Sequence, residues 1–123
     1  MAVDQAMRSE ILELVRRESD ATFAALQDRI NGFVPGENAL MLEGNVCAWR
    51  GMTVDAVDTV IDLLQSKDLE MHSTSTLVYM ADGAYLDLPI AKRPPAGGYK
   101  ERHWAPILLT LPKRTSKTKG VDR

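Results

Sequence analysis

The sequence predicts an α+β fold: three helices, a β-hairpin after the third, an extra segment at 32–52, and a strand near the C-terminus. Three observations carry this expectation. Apolar residues recur at helical spacing in three stretches, 4–18, 21–30 and 53–66. Asp82-Gly83 stands between two short apolar runs, 77–80 and 85–88, where a two-residue hairpin turn needs residues that accept positive φ. A break rich in proline and glycine then separates this unit from a last apolar run, Ile107 to Leu111.

The first helix is expected over Asp4 to Glu18. Met7, Ile11, Leu14 and Val15 form its apolar stripe, and Arg16-Arg17 sits at the end where cations meet the negative pole of the helix dipole. Ser19 or Asp20 caps a second helix, Ala21 to Ile30, which buries Phe23, Leu26 and Ile30. Asn31-Gly32 supplies its left-handed stop. The next stretch is less regular. Val46 to Trp49 reads as a strand, and Gly44-Asn45 suits a tight turn. Residues 38–43 fit either the partner strand or a helix broken at Gly44, because Ala, Leu and Met favour helices.

Thr53 is a good N-cap for the third helix, and Asp55 faces its positive end. Val54, Val57, Ile61 and Leu64 recur at spacings of 3, 4 and 3, which predicts one buried face, widened by Val60 and Leu63. The solvent side then carries Asp55, Asp58 and Asp62. If Asp82-Gly83 closes the hairpin, Leu77, Tyr79, Leu86 and Leu88 share the core side. Val78, Met80, Tyr85 and Asp87 share the outer one.

A chain of 123 residues has room for one core, so residues 1–111 are expected to form one domain and 112–123 a basic, flexible tail. The net charge of −2 conceals an asymmetry. Residues 1–91 hold 6 Lys/Arg against 15 Asp/Glu, and residues 92–123 hold 9 against 2. A basic end on an acidic body points to nucleic acid or to an acidic partner, or is simply a solvated terminus. The single cysteine, Cys47, excludes an internal disulfide. No stretch approaches 18 apolar residues, and Asp4, Arg8 and Glu10 interrupt the N-terminus where a signal peptide needs an apolar run. A cytoplasmic location is expected, with no membrane partner.

The order of two amphipathic helices, a helix at 53–66 and a hairpin at 76–88 resembles a winged helix-turn-helix domain. Gly51-Met52-Thr53, the Val/Leu core of the third helix, Leu69-Glu70-Met71 and the Tyr79 to Leu86 stretch carry the likeness, which covers residues 5–90. One departure is visible: residues 32–52 stand where the superfamily has a short turn between its second and third helices. The resemblance implies a nucleic-acid-binding or transcription-regulatory protein whose third helix enters the major groove. The acidic side of this third helix opposes that mode, since each carboxylate near a phosphate adds repulsion where binding normally gains from counterion release.

The expected contact with DNA therefore falls on the basic segment Lys92, Arg93, Lys100, Arg102, Lys113, Arg114, Lys117 and Lys119. Tyr99 and Trp104 lie within it, either stacking on bases or anchoring the last strand to the core. The alternative is a protein-interaction module using Asp55, Asp58, Asp62, Val78, Met80 and Tyr85, without direct DNA contact. The partners that fit are thus DNA, another protein, or a second copy in a homodimer. His72 and His103 have no cysteine or second histidine at ligand spacing, and no glycine-rich phosphate loop is present. No enzyme, cofactor, metal or small-molecule substrate is expected.

Overall fold

The computed structural model describes residues 2–112. Ten elements follow one another there: α1 (Gln5–Glu18), β1 (Asp20–Thr22), α2 (Phe23–Arg29), β2 (Asn38–Leu42), β3 (Val46–Met52), α3 (Val54–Gln65), β4 (Glu70–Ser73), α4 (Thr76–Ala81), β5 (His103–Trp104) and β6 (Ile107–Thr110). The fold is α+β. The strands make two small sheets, an antiparallel β1–β6–β4 and a mixed β2–β3–β5 in which β3 and β5 run parallel.

Helix α1 follows from its sequence. The Asp4 carboxylate accepts from the Met7 N–H at 3.0 Å, and Met7, Ile11, Leu14 and Val15 are buried. α2 starts two residues later than expected. Thr22 is its cap, accepting from Ala25 N–H at 3.0 Å, because residues 20–22 are held extended against β6. Gly32 takes φ 82° after the helix, the left-handed turn anticipated there.

Both halves of the 38–52 stretch are strands, which resolves the strand-or-helix ambiguity at 38–43. Gly44 and Asn45 adopt φ 87° and 62°, so the turn bends back with both residues left-handed. Thr53 caps α3 by accepting from Ala56 N–H at 3.1 Å. The helix is rotated from its expected orientation. Ala56, Thr59, Val60 and Leu63 are buried, Val57, Ile61 and Leu64 are half-buried, and Val54 is 53% exposed. The cause is polar contact with α1. Thr59 Oγ1 accepts from Asp4 N–H at 2.9 Å and Asp58 accepts from Ala2 N–H at 2.8 Å. Turning these groups inward moves the aliphatic stripe sideways.

The expected hairpin at 76–88 is not formed. Residues 76–81 are the short helix α4, and 84–88 contain no strand. Asp82-Gly83 ends this helix: Asp82 stays helical and Gly83 takes φ 94°. Two contacts favour the helical choice. The buried Tyr79 hydroxyl donates to Ile107 O at 2.7 Å and accepts from Phe23 N–H at 3.1 Å, which joins α4 to α2 and β6. The Asp82 carboxylate accepts from the Thr22 hydroxyl at 2.6 Å. Tyr79 and Leu86 are buried as expected, whereas Leu77, placed on the core side by the strand pattern, is 71% exposed.

The core runs from α1 and α3 through the two sheets. A chain of aromatic contacts, Phe33–Phe23–Trp49–Tyr79–Trp104, crosses it with centroids 5.0–6.5 Å apart. Trp104 is thus a core anchor rather than a free aromatic.

Candidate nucleic-acid interface

A long excursion, residues 82–102, leaves α4 and returns to the second sheet at β5. Its first limb pairs with β5. Trp104 N–H donates to Pro89 O and Ala91 N–H donates to Trp104 O, both at 2.8 Å. Its far end docks on the β2–β3 turn. Tyr99 N–H donates to Gly44 O at 3.0 Å, and the Asn45 side-chain amide donates to Tyr99 O at 3.2 Å. Gly98 lies so close to Gly44 that a Cβ there would come within 2.9 Å of the Gly44 backbone, and its φ of 86° also disfavours any side chain.

Tyr99 closes the excursion on itself. Its hydroxyl accepts from Lys92 N–H at 2.9 Å, and its ring stacks on His103 at 3.6 Å with only 9° between planes. His103 Nδ1 lies 2.9 Å from Glu101 O. These contacts fix the backbone at Lys92 and between Tyr99 and His103. The neighbouring Lys92, Arg93, Lys100 and Arg102 all have exposed side chains. So does Arg50 on the adjoining strand β3, a cation that sequence reasoning passed over because it sits at the end of an apolar run.

Arg50 and Arg102 act on a common neighbour. Burial pushes the Cys47 thiol up, while the Arg102 and Arg50 guanidinium groups pull it the other way. Both guanidinium groups therefore lie within electrostatic reach of the Cys47 thiol in the second sheet. None of Arg50, Lys92, Arg93, Lys100 and Arg102 forms an ion pair among the described residues. The excursion and the adjoining strand thus carry five exposed cations, with the exposed carboxylates Glu43 and Glu101 among them, on a mainly acidic body. Lys113, Arg114, Lys117 and Lys119 lie outside the described residues. Pro112, just before them, lines a groove beside Ser9, Leu12, Glu13 and Arg16 of α1.

The acidic residues of α3 are used differently from the expectation. Asp62 accepts from Arg8 Nε at 2.9 Å, Arg8 also pairs with Asp68, and Asp58 holds the Ala2 amide. The Asp62 and Asp68 hydrogen bonds raise Arg8 further above its usual value. In return, Arg8 and then Ser66 lower Asp68. Asp62 thus fastens α3 to α1 and Asp58 ties α3 to the chain just before α1, so two of the three stripe carboxylates have partners within the fold. Asp55 is half-buried in the first turn.

Val78, Met80 and Tyr85 are exposed, joined by Leu77 and Ile90, although through α4 and the turn after it rather than through one strand face. Among the described residues no group of three His, Cys, Asp or Glu side chains is placed to hold a metal, and no helix is long and apolar enough to cross a membrane. Compared with known proteins, the chain matches no family model, no curated protein and no solved structure.

Proposed function

We propose that the chain is a winged-helix-type nucleic-acid-binding protein that grips the phosphate backbone of a duplex through Arg50, Lys92, Arg93, Lys100 and Arg102. The observation that carries this reading is the set of exposed cations without carboxylate partners, held by a stapled excursion on an otherwise acidic body. The topology is compatible with it. After α3 comes the antiparallel pair β4–β6, in the position of a wing, and the excursion between those strands carries four of the five cations. The inserted β2–β3 hairpin occupies the departure at 32–52 and supports the excursion's tip.

The reading assigns α3 no role in base recognition. Val54 and Gln65 are its exposed positions, while Asp58 and Asp62 face α1, so it presents no cation or paired amide to a groove. Backbone contact without base readout gives sequence-tolerant, salt-sensitive binding. Duplex is favoured over single strand because the two aromatics interleaved with Lys100 and Arg102 are engaged, Tyr99 stacked on His103 and Trp104 buried, which leaves Tyr85 at the start of the excursion as the exposed ring. The test is titration of a mixed-sequence duplex at several salt concentrations. Absence of binding at low salt contradicts the reading.

A second reading, a protein-interaction module without DNA contact, is favoured by the apolar exposure of Leu77, Met80 and Tyr85. Leu77→Ser with Met80→Ser separates the two. The pair of changes leaves duplex affinity intact under the first reading and abolishes partner capture under the second.

A further inference from the structure

We infer that β4 is an association edge for a second copy of this chain, joining two β1–β6–β4 sheets into one six-stranded antiparallel sheet. Among the described residues β4 is the outer strand of its sheet and pairs with β6 alone. All four of its residues are exposed, so no described residue covers its side chains. An uncovered edge presents unpaired N–H and C=O groups, which another strand can satisfy.

The side chains select the occupant. Glu70 and His72 share one face of the strand, where His72 Nε2 lies 3.5 Å from Glu70 Oε1. Met71 points to the other side. All three line an open groove of about 510 Å³ along the strand, together with Leu64, Leu69 and Lys67. A two-fold axis normal to the sheet keeps every side chain on its own face. A regular antiparallel pair therefore places some residue of β4 opposite its own copy. Centring on Glu70 opposes two carboxylates, and centring on His72 opposes two imidazoles. Centring on Met71 sets Glu70 opposite the partner's His72 twice and Met71 against its own copy. Directly opposed residues have Cβ atoms about 4.5–5.5 Å apart, where opposite charges attract and like charges repel. This one register sets each Glu70 carboxylate opposite an imidazole that can donate to it and adds apolar contact, so the strand is complementary to itself.

The experiment is sedimentation equilibrium over a concentration series, with thermal unfolding to show that each variant folds. The native chain is expected to dimerise. His72→Glu places carboxylates opposite carboxylates, and Glu70→Lys removes the carboxylate and places an ammonium donor opposite the imidazole. Each alone is expected to weaken self-association about tenfold, as two cross-strand pairs lose their complementarity. An equimolar mixture of the two variants is expected to recover association, because each carboxylate then faces either an imidazole or an ammonium. Recovery on mixing separates contact between copies from the contact within one strand, which mixing cannot repair. A native chain that stays monomeric at every concentration overturns the inference, as does a mixture no tighter than either variant alone. Duplex binding is a separate measurement, and neither result bears on it.

Discussion

The α1–α3 contact and the 92–102 excursion are both rich in charge, yet they use it in opposite ways. At the first, Asp58, Asp62 and Asp68 meet an amide and the Arg8 guanidinium, so charge is consumed in joining two helices. At the second, the fastening is done by backbone groups, the Tyr99 hydroxyl and two close glycines, and the cations are left facing solvent. Charged residues engaged by their own fold are poor candidates for recognition. Charged residues held in place by something else are good ones. The difference moves the proposed functional weight from α3 to the excursion after α4.

The largest expected effect comes from the root of the excursion. Tyr79→Ala removes a fully buried ring and the hydroxyl between Phe23 and Ile107, and is expected to cost roughly 3–5 kcal/mol in urea unfolding. Tyr79→Phe keeps the ring and is expected to cost about 1–3 kcal/mol, the penalty of leaving buried backbone groups unsatisfied. If the two variants are equally unstable, ring packing is not what holds α4 to the core.

Alkaline pH probes the same residue. Burial raises the Tyr79 phenol to about 12, offset in part by hydrogen bonds to Phe23 and Ile107 and reinforced by Asp82. A folded-state value above the unfolded one, about 10, means that the folded state holds its proton longer. The Tyr79 contribution to stability should be constant below about pH 10 and fall by roughly 2 kcal/mol by pH 12. Tyr79→Phe should remove that part of the decline. Denaturant midpoints between those pH values check this.

A smaller effect should separate the excursion from the core. Gly98→Val introduces a side chain at φ 86° against Gly44, and is expected to cost on the order of 1–3 kcal/mol if the tip stays docked. If the tip lifts instead, global stability changes less and duplex affinity falls. Hydrogen exchange at Tyr99 N–H distinguishes these outcomes, because that amide donates to Gly44 O.

The smallest effect belongs to the helix contact. Arg8→Gln should lower Tm by only a few degrees, since the ion pairs are partly exposed. Asp68 is depressed by Arg8 in the folded state, so its contribution is present at neutral pH and is lost as pH falls through the folded value. Arg8→Gln should flatten that acid-side decline and leave duplex affinity unchanged. A loss of affinity would place the α1–α3 face within the binding surface.

Local chemistry made much of this fold legible in the sequence. Asp4 and Thr53 cap helices as their side chains imply, and Gly44-Asn45 turns the β2–β3 hairpin. Elements whose form depends on distant partners were not legible. Asp-Gly serves a hairpin or a helix end equally well, and the buried Tyr79 hydroxyl, 56 residues from Phe23, favours the helix end. The face of α3 was misplaced because a threonine at helical spacing counts as polar, whereas Thr59 is buried once Asp4 supplies a donor. At the candidate site, Lys92, Arg93, Lys100 and Arg102 stood out by charge alone. Arg50 joins the candidate set only because β3, its strand, pairs with β5 beside Arg102, which no linear pattern displays.

The most direct test is the salt dependence of duplex binding for the native chain and for a variant carrying Lys92→Gln, Arg93→Gln, Lys100→Gln and Arg102→Gln. Each phosphate neutralised contributes about 0.9 to the slope of log K against log salt. The account expects the native chain to bind at low salt and the variant to lose roughly 3–4 units of slope with its fold intact. An unchanged slope, or a native chain that does not bind, contradicts it.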